Sequence, residues 1–133
     1  MDNKELIRLA GEARRASYSP YSGYAVGAAL LCADGTVYKG CNIENAAFSP
    51  TVCAERTAFF KAVSEGKRDF VKIAIVGGKA NEPDGFSPPC GVCRQVMAEF
   101  CGKDFEIVLL RNGEIIVKAL SDILPLGFDS SMM

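Results

Sequence analysis

The sequence predicts an α/β fold: three layers, α/β/α, built around a mixed five-stranded sheet. Three observations predict it. Apolar residues recur at helical spacing in three separate stretches, and five short runs of β-branched or small apolar residues lie between and after them. Two turn signals, Asp34-Gly35 and Asn112-Gly113, fold four of those runs into hairpins. The order α, β-hairpin, α, β, α, β-hairpin is accounted for by one sheet with helices on both faces. A length of 133 residues suits one core, so residues 1–133 are read as a single domain.

Residues 3–16 form the first amphipathic pattern, with Leu6, Ile7, Leu9, Ala10 and Ala13 on one face and Lys4, Arg8, Arg14 and Arg15 off it. Pro20 and Gly23 end it. Residues 24–32 are small and apolar, as in a buried strand, and 36–41 return as its partner. The stretch 42–50 has no period, and its polar residues follow a strand end, where ligand-contacting groups commonly sit. A helix opens near Thr51 and runs to about Glu65, stopped by Gly66. Residues 71–76 are a strand and 77–89, rich in Gly and Pro, a loop. The next helix spans 90–101, with Val92, Val96, Met97 and Phe100 as its apolar face. Strands at 105–110 and 114–118 and a short helix at 121–124 complete the chain, and the tail carries Phe128.

Composition excludes several classes. Net charge is −1 and the fifteen Lys and Arg are scattered, so no basic stripe for a polynucleotide exists. Charged residues interrupt any apolar run near the N-terminus, and no segment approaches the roughly 20 apolar residues of a membrane span. A cytoplasmic protein with reduced thiols is expected. There is no histidine, which removes Ser-His-Asp triads, Cys-His dyads and His-based zinc proteases.

Any metal site must therefore use cysteine and carboxylate. Cys53, Cys90 and Cys93 fall at the starts of the two helices that flank the 71–76 strand. Three thiolates suit zinc and leave one tetrahedral corner for water. Helix N-termini favour the thiolate form. Glu55 can shuttle a proton beside that corner; as a fourth ligand it would instead close the site, and the sequence leaves both open. Three thiolates make zinc a poor Lewis acid unless compensated, and Arg56 or Arg94 is expected to hydrogen-bond to a ligand sulfur. Cys90-x-x-Cys93 alone could be a redox pair or half a zinc ribbon, but a ribbon needs a second such motif and a redox pair leaves Cys-Ala-Glu unexplained. Cys32, Cys41 and Cys101 are read as small buried hydrophobes.

Cys53-Ala54-Glu55-Arg56 together with Pro89-Cys90-Gly91-Val92-Cys93-Arg94-Gln95 resembles the motif pair of the zinc nucleoside deaminases. Segments 18–22, 26–30, 40–46 and 124–125 are similar to the small homotetrameric cytidine deaminases, so the resemblance runs from about residue 4 to 128. It implies one zinc per subunit on Cys53, Cys90 and Cys93, and Glu55 as proton shuttle. Asn42 and Glu44 would contact the ribose 3′-hydroxyl and the Ala54 N–H the pyrimidine O2. Tyr24 would pack on the base, and Phe128 would reach a neighbouring subunit's site. The implied reaction is hydrolytic deamination of cytidine and 2′-deoxycytidine to the uridine products and ammonia, in pyrimidine salvage. The nucleoside is the implied partner, with no nucleic acid and no membrane. Phe48 and Pro88 depart from the family's usual Tyr and Ser or Thr. Competing readings are a relative acting on another aminopyrimidine, such as blasticidin S or a nucleotide, and a non-catalytic zinc-stabilised binding module.

Overall fold

In the computed structural model, which describes residues 1–133, the sheet has the strand order β2-β1-β3-β4-β5. Its strands are β1 (Tyr24–Cys32), β2 (Val37–Cys41), β3 (Phe70–Lys79), β4 (Glu106–Arg111) and β5 (Glu114–Ala119). The helices are α1 (Asn3–Arg14), α2 (Ala54–Ser64), α3 (Gly91–Phe100) and the short α4 (Leu120–Ile123). β1 lies antiparallel to both β2 and β3, β3 is parallel to β4, and β5 is antiparallel to β4. Thus β2, β3 and β4 run in one direction. Because α2 follows β2 and α3 follows β3, both helices begin beyond the same end of the sheet.

Two apolar layers hold the helices on opposite faces. Leu6 and Ala10 of α1 pack on Ala29, Leu31, Ala74, Val76 and Val108. On the other face Phe59 of α2 is fully buried, its ring 5.1 Å from that of Phe70, 6.0 Å from Phe105 and 6.4 Å from Phe100. Burying one such aromatic side chain contributes about 2–3 kcal/mol. The turns follow their residues: Asn112 and Gly113 both have positive φ, the requirement of the two-residue hairpin turn.

Three expectations change. α2 begins at Ala54 rather than near Thr51, because Val52 is held by its pairing with Ile43 and Cys53 is extended. β3 continues through Gly77 and Gly78, assigned to the loop from sequence, since β1 offers Val26 and Ala25 as ladder partners and pairing outweighs the weak β propensity of glycine. Arg14, placed on the polar face of α1, is buried. Its Nε donates to Ala25 O at 2.9 Å, Nη1 to Glu82 O and Asp84 Oδ1 at 2.9 Å each, and Nη2 to Lys79 O at 2.7 Å. α1 reaches this position because Gly27 lacks a Cβ, which would otherwise overlap the Ala10 carbonyl and the Arg14 backbone.

Arg14→Ala strands three carbonyls and one carboxylate, so we expect a loss of about 2–4 kcal/mol, read as a lower urea midpoint with unchanged slope. Arg14→Lys recovers only part of it, because a single ammonium cannot span acceptors on three sides.

Candidate active site

Two helix starts build the site. Cys53 is the N-cap of α2 and Cys90 that of α3; neither side chain caps its own helix, which leaves both sulfurs free. Cys93 lies in the first turn of α3 and is 1% exposed. Cys53 Sγ and Cys90 Sγ are 3.7 Å apart, Cys90 Sγ and Cys93 Sγ 3.6 Å, and all three lie within 4.8 Å of one another. Thiolates at a zinc–sulfur length of about 2.3 Å occupy tetrahedral corners roughly 3.8 Å apart, so the observed spacing fits zinc. The cluster comprises these three sulfurs and no carboxylate.

Charge explains why the cluster suits a cation. The neighbouring Cys93 thiol and the Arg56 guanidinium hold the Cys53 thiol below its ordinary value, while the same contact with Cys53 and burial push Cys93 up. One sulfur ionises readily and its neighbour then resists; a divalent cation removes that conflict. Arg56 Nη2 donates to Cys53 Sγ at 3.3 Å. Arg94 takes a different position, its Nε on Pro89 O at 2.7 Å and Nη1 on Ile123 O at 2.6 Å. Of the two arginines expected near a sulfur, Arg56 stands there, and Arg94 ties the Pro89-Cys90 turn to the end of α4.

Glu55, in the first turn of α2, is 4% exposed. Burial pushes its carboxyl up to about 7, with the charge of Cys53 adding to the effect. A carboxyl in that range can both take and give a proton near neutral pH. Ala54, fully buried, opens α2, so its N–H has no acceptor within the helix.

Residues 42–44 are brought alongside by paired backbones. Ile43 and Val52 exchange hydrogen bonds at 3.0 Å, which sets Asn42 opposite Cys53, and Glu44 N donates to Tyr18 O at 2.8 Å. Asn42 and Glu44, two apart on an extended segment, share a face. Tyr24 is joined to them: its carbonyl accepts from Asn42 Nδ2 at 2.8 Å. Phe128 is 58% exposed, and its carbonyl accepts from Gln95 Nε2 of α3 at 2.7 Å. Phe48, with positive φ, is exposed and sets its ring edge-on to Tyr21.

Residues 1–110 match the family model for the cytidine and deoxycytidylate deaminase zinc-binding region. The chain belongs to that family. Cytidine deaminase of Sporosarcina psychrophila is 50% identical over 129 residues, 96% of this chain and 92% of that protein. That of Halalkalibacterium halodurans is 49% identical over 134 residues, 100% of this chain and 98% of that protein. The crystal structure of cytidine deaminase from Burkholderia pseudomallei superposes with a TM-score of 0.88 at 45% identity, covering 96% of this chain and 100% of that one. The sheet and helices thus have the cytidine deaminase fold, and the zinc assignment agrees with the three sulfurs.

Sequence reading missed two supports of this deaminase-family site. Thr57 Oγ1 donates to Cys41 O at 3.0 Å and lies 3.2 Å from Cys53 O, pinning the first turn of α2 to the end of β2. Gly40 admits that turn: a Cβ there would stand 2.5 Å from Ala54 O. A glycine inside a strand was the available signal, because it marks close approach of another backbone.

Thiol labelling followed by peptide mass spectrometry checks the ligand set. With zinc bound, Cys53, Cys90 and Cys93 resist iodoacetamide; after chelation Cys90, the exposed one, reacts first and the buried Cys32 and Cys93 last. Equal labelling of Cys90 with and without metal contradicts the assignment.

Proposed function

We propose that this chain is a zinc-dependent hydrolase that converts cytidine and 2′-deoxycytidine to uridine and 2′-deoxyuridine with release of ammonia. One observation carries the reading: three sulfurs at tetrahedral zinc spacing with a buried carboxyl two residues from the first of them and outside the ligand cluster. When bound, zinc supplies the Lewis acidity that makes water nucleophilic near neutral pH.

The chain's own residues do the rest. Glu55 accepts a proton from the water that adds at C4 and passes it to N3, then takes the proton of the resulting C4 hydroxyl and delivers it to the amine, which leaves as ammonia as the C4–N bond breaks. Its burial keeps bulk water from competing for those protons. The Ala54 N–H, a free first-turn donor, holds the pyrimidine O2. Arg56 draws electron density from Cys53 and so limits how far three thiolates quench the metal's acidity. Tyr24 supplies an aromatic face for the base. Asn42 and Glu44 hold the 3′-hydroxyl. The Glu44 carboxylate, held below its usual range chiefly by the Ser22 hydroxyl, disfavours a phosphate close to it on the sugar.

The reading extends to a cytoplasmic salvage enzyme and a homotetramer. Six free cysteines, one of them an exposed ligand, fit a reducing compartment. Fully exposed Leu126 beside exposed Phe128 fits a tail that packs on another subunit, with Phe128 closing that subunit's site.

Two experiments test this. Glu55→Ala is expected to keep one zinc by metal analysis while turnover, followed by the ultraviolet change on cytidine hydrolysis, falls about 10⁴-fold; near-normal turnover rejects the assignment. Truncation after Pro125 is expected to raise KM and weaken the tetramer on analytical ultracentrifugation. An unchanged tetramer with unchanged kinetics removes Phe128 from the site.

A further inference from the structure

Asn42 and Glu44 have a hydrogen-bonding capacity that can be counted. A carboxylate accepts at about four lone-pair positions. Three at Glu44 are filled from within the chain: Tyr21 N and Ser22 N donate to Oε1 at 3.0 and 3.1 Å, and Ser22 Oγ donates to Oε2. One position, on Oε2, stays open. At Asn42 the Oδ1 atom accepts from Val26 N at 2.9 Å and from Ser17 Oγ at 2.5 Å, which fills it. Its Nδ2 gives one proton to Tyr24 O and keeps the other. The pair therefore offers a ligand one acceptor and one donor on a shared face. A hydroxyl, which gives one hydrogen bond and accepts another, is the complement of that set. A phosphate brings acceptors against an ionised carboxylate, and a methylene group brings neither.

We propose that Ser17 and Ser22 are positioning residues for sugar recognition: their hydroxyls occupy the surplus acceptor sites of Asn42 and Glu44, so that the pair reads a single hydroxyl, that at C3′. The inference rests on the nucleoside reading above. Ser22 has the larger part, because both its N–H and its hydroxyl go to the Glu44 carboxylate. Ser17 has the smaller, since Val26 N still orients the Asn42 amide without it.

The test is steady-state kinetics of the zinc-loaded full chain with cytidine and with 2′,3′-dideoxycytidine, which lacks the hydroxyl in question. Ser22→Ala is expected to raise KM for cytidine about tenfold, the worth of one hydrogen bond to a charged group, with kcat little changed. Its kcat/KM for dideoxycytidine stays at the wild-type value, so discrimination between the two narrows about tenfold; that rate also reports the folded, zinc-loaded fraction. Ser22→Thr keeps the hydroxyl and restores wild-type KM, Ser17→Ala moves KM in the same direction by less, and in a Glu44→Gln background Ser22→Ala has no further effect. Equal losses on both substrates, or an unchanged KM for cytidine, overturn the proposal while leaving the deaminase reading intact. A wild-type enzyme inert toward cytidine overturns both.

Discussion

The site exists because two helices start beyond the same end of one sheet. β2 and β3 run in the same direction with β1 between them, so the helices that follow them present their N-termini side by side. Each N-terminus carries roughly half a positive charge. Three thiolates around a divalent cation leave one negative charge, which two helix ends offset, and Arg56 stands against the charge that Glu55 takes up when it ionises. Without that near-neutral sum, a carboxyl and a sulfur as well buried as those of Glu55 and Cys93 could not sit together except as protonated groups. The topology is thus an electrostatic device as much as a scaffold.

Holding the α2 start in register takes more than the sheet. Gly40 lets the helix backbone lie directly on β2, Thr57 bonds across to the Cys41 carbonyl, and the Ile43–Val52 pairing fixes the chain just before Cys53. These three contacts place Asn42 beside the cysteine cluster, although ten residues separate Asn42 from Cys53 in the chain. The polar residues proposed to meet the sugar are therefore also structural. The Asn42 side chain bonds to the backbone of both Tyr24 and Val26, standing in for a neighbouring strand where β1 begins.

Most of the fold and the three-cysteine cluster could be read from the sequence, because the signals were local: apolar periodicity, Asn-Gly, and cysteines at helix starts. What escaped reading depended on partners distant in the chain. Arg14 looks like any other charge on an amphipathic helix, and only the carbonyls of Ala25, Lys79 and Glu82 make its burial possible. Gly77 and Gly78 look like loop, and only pairing with β1 makes them strand. Arg56 and Arg94 each stand just after a cysteine-bearing segment, yet one meets a sulfur and the other meets carbonyls. Cys53 and Cys90 are both N-caps, but Arg56 stands three residues beyond the first and Arg94 four beyond the second, so the direction of each arginine is decided by helix phase rather than by adjacency.

The burial of Arg14 has an evolutionary corollary. Surface connections usually drift in length among relatives, because nothing inside depends on them. Here the turn after β3 is held at Lys79, Glu82 and Asp84 by one guanidinium rooted in α1, so its span is set by the reach of a side chain. Insertions and deletions should be rare in this turn and easier to accommodate at the solvent-facing Asn112-Gly113 hairpin, where no buried group keeps count of the residues.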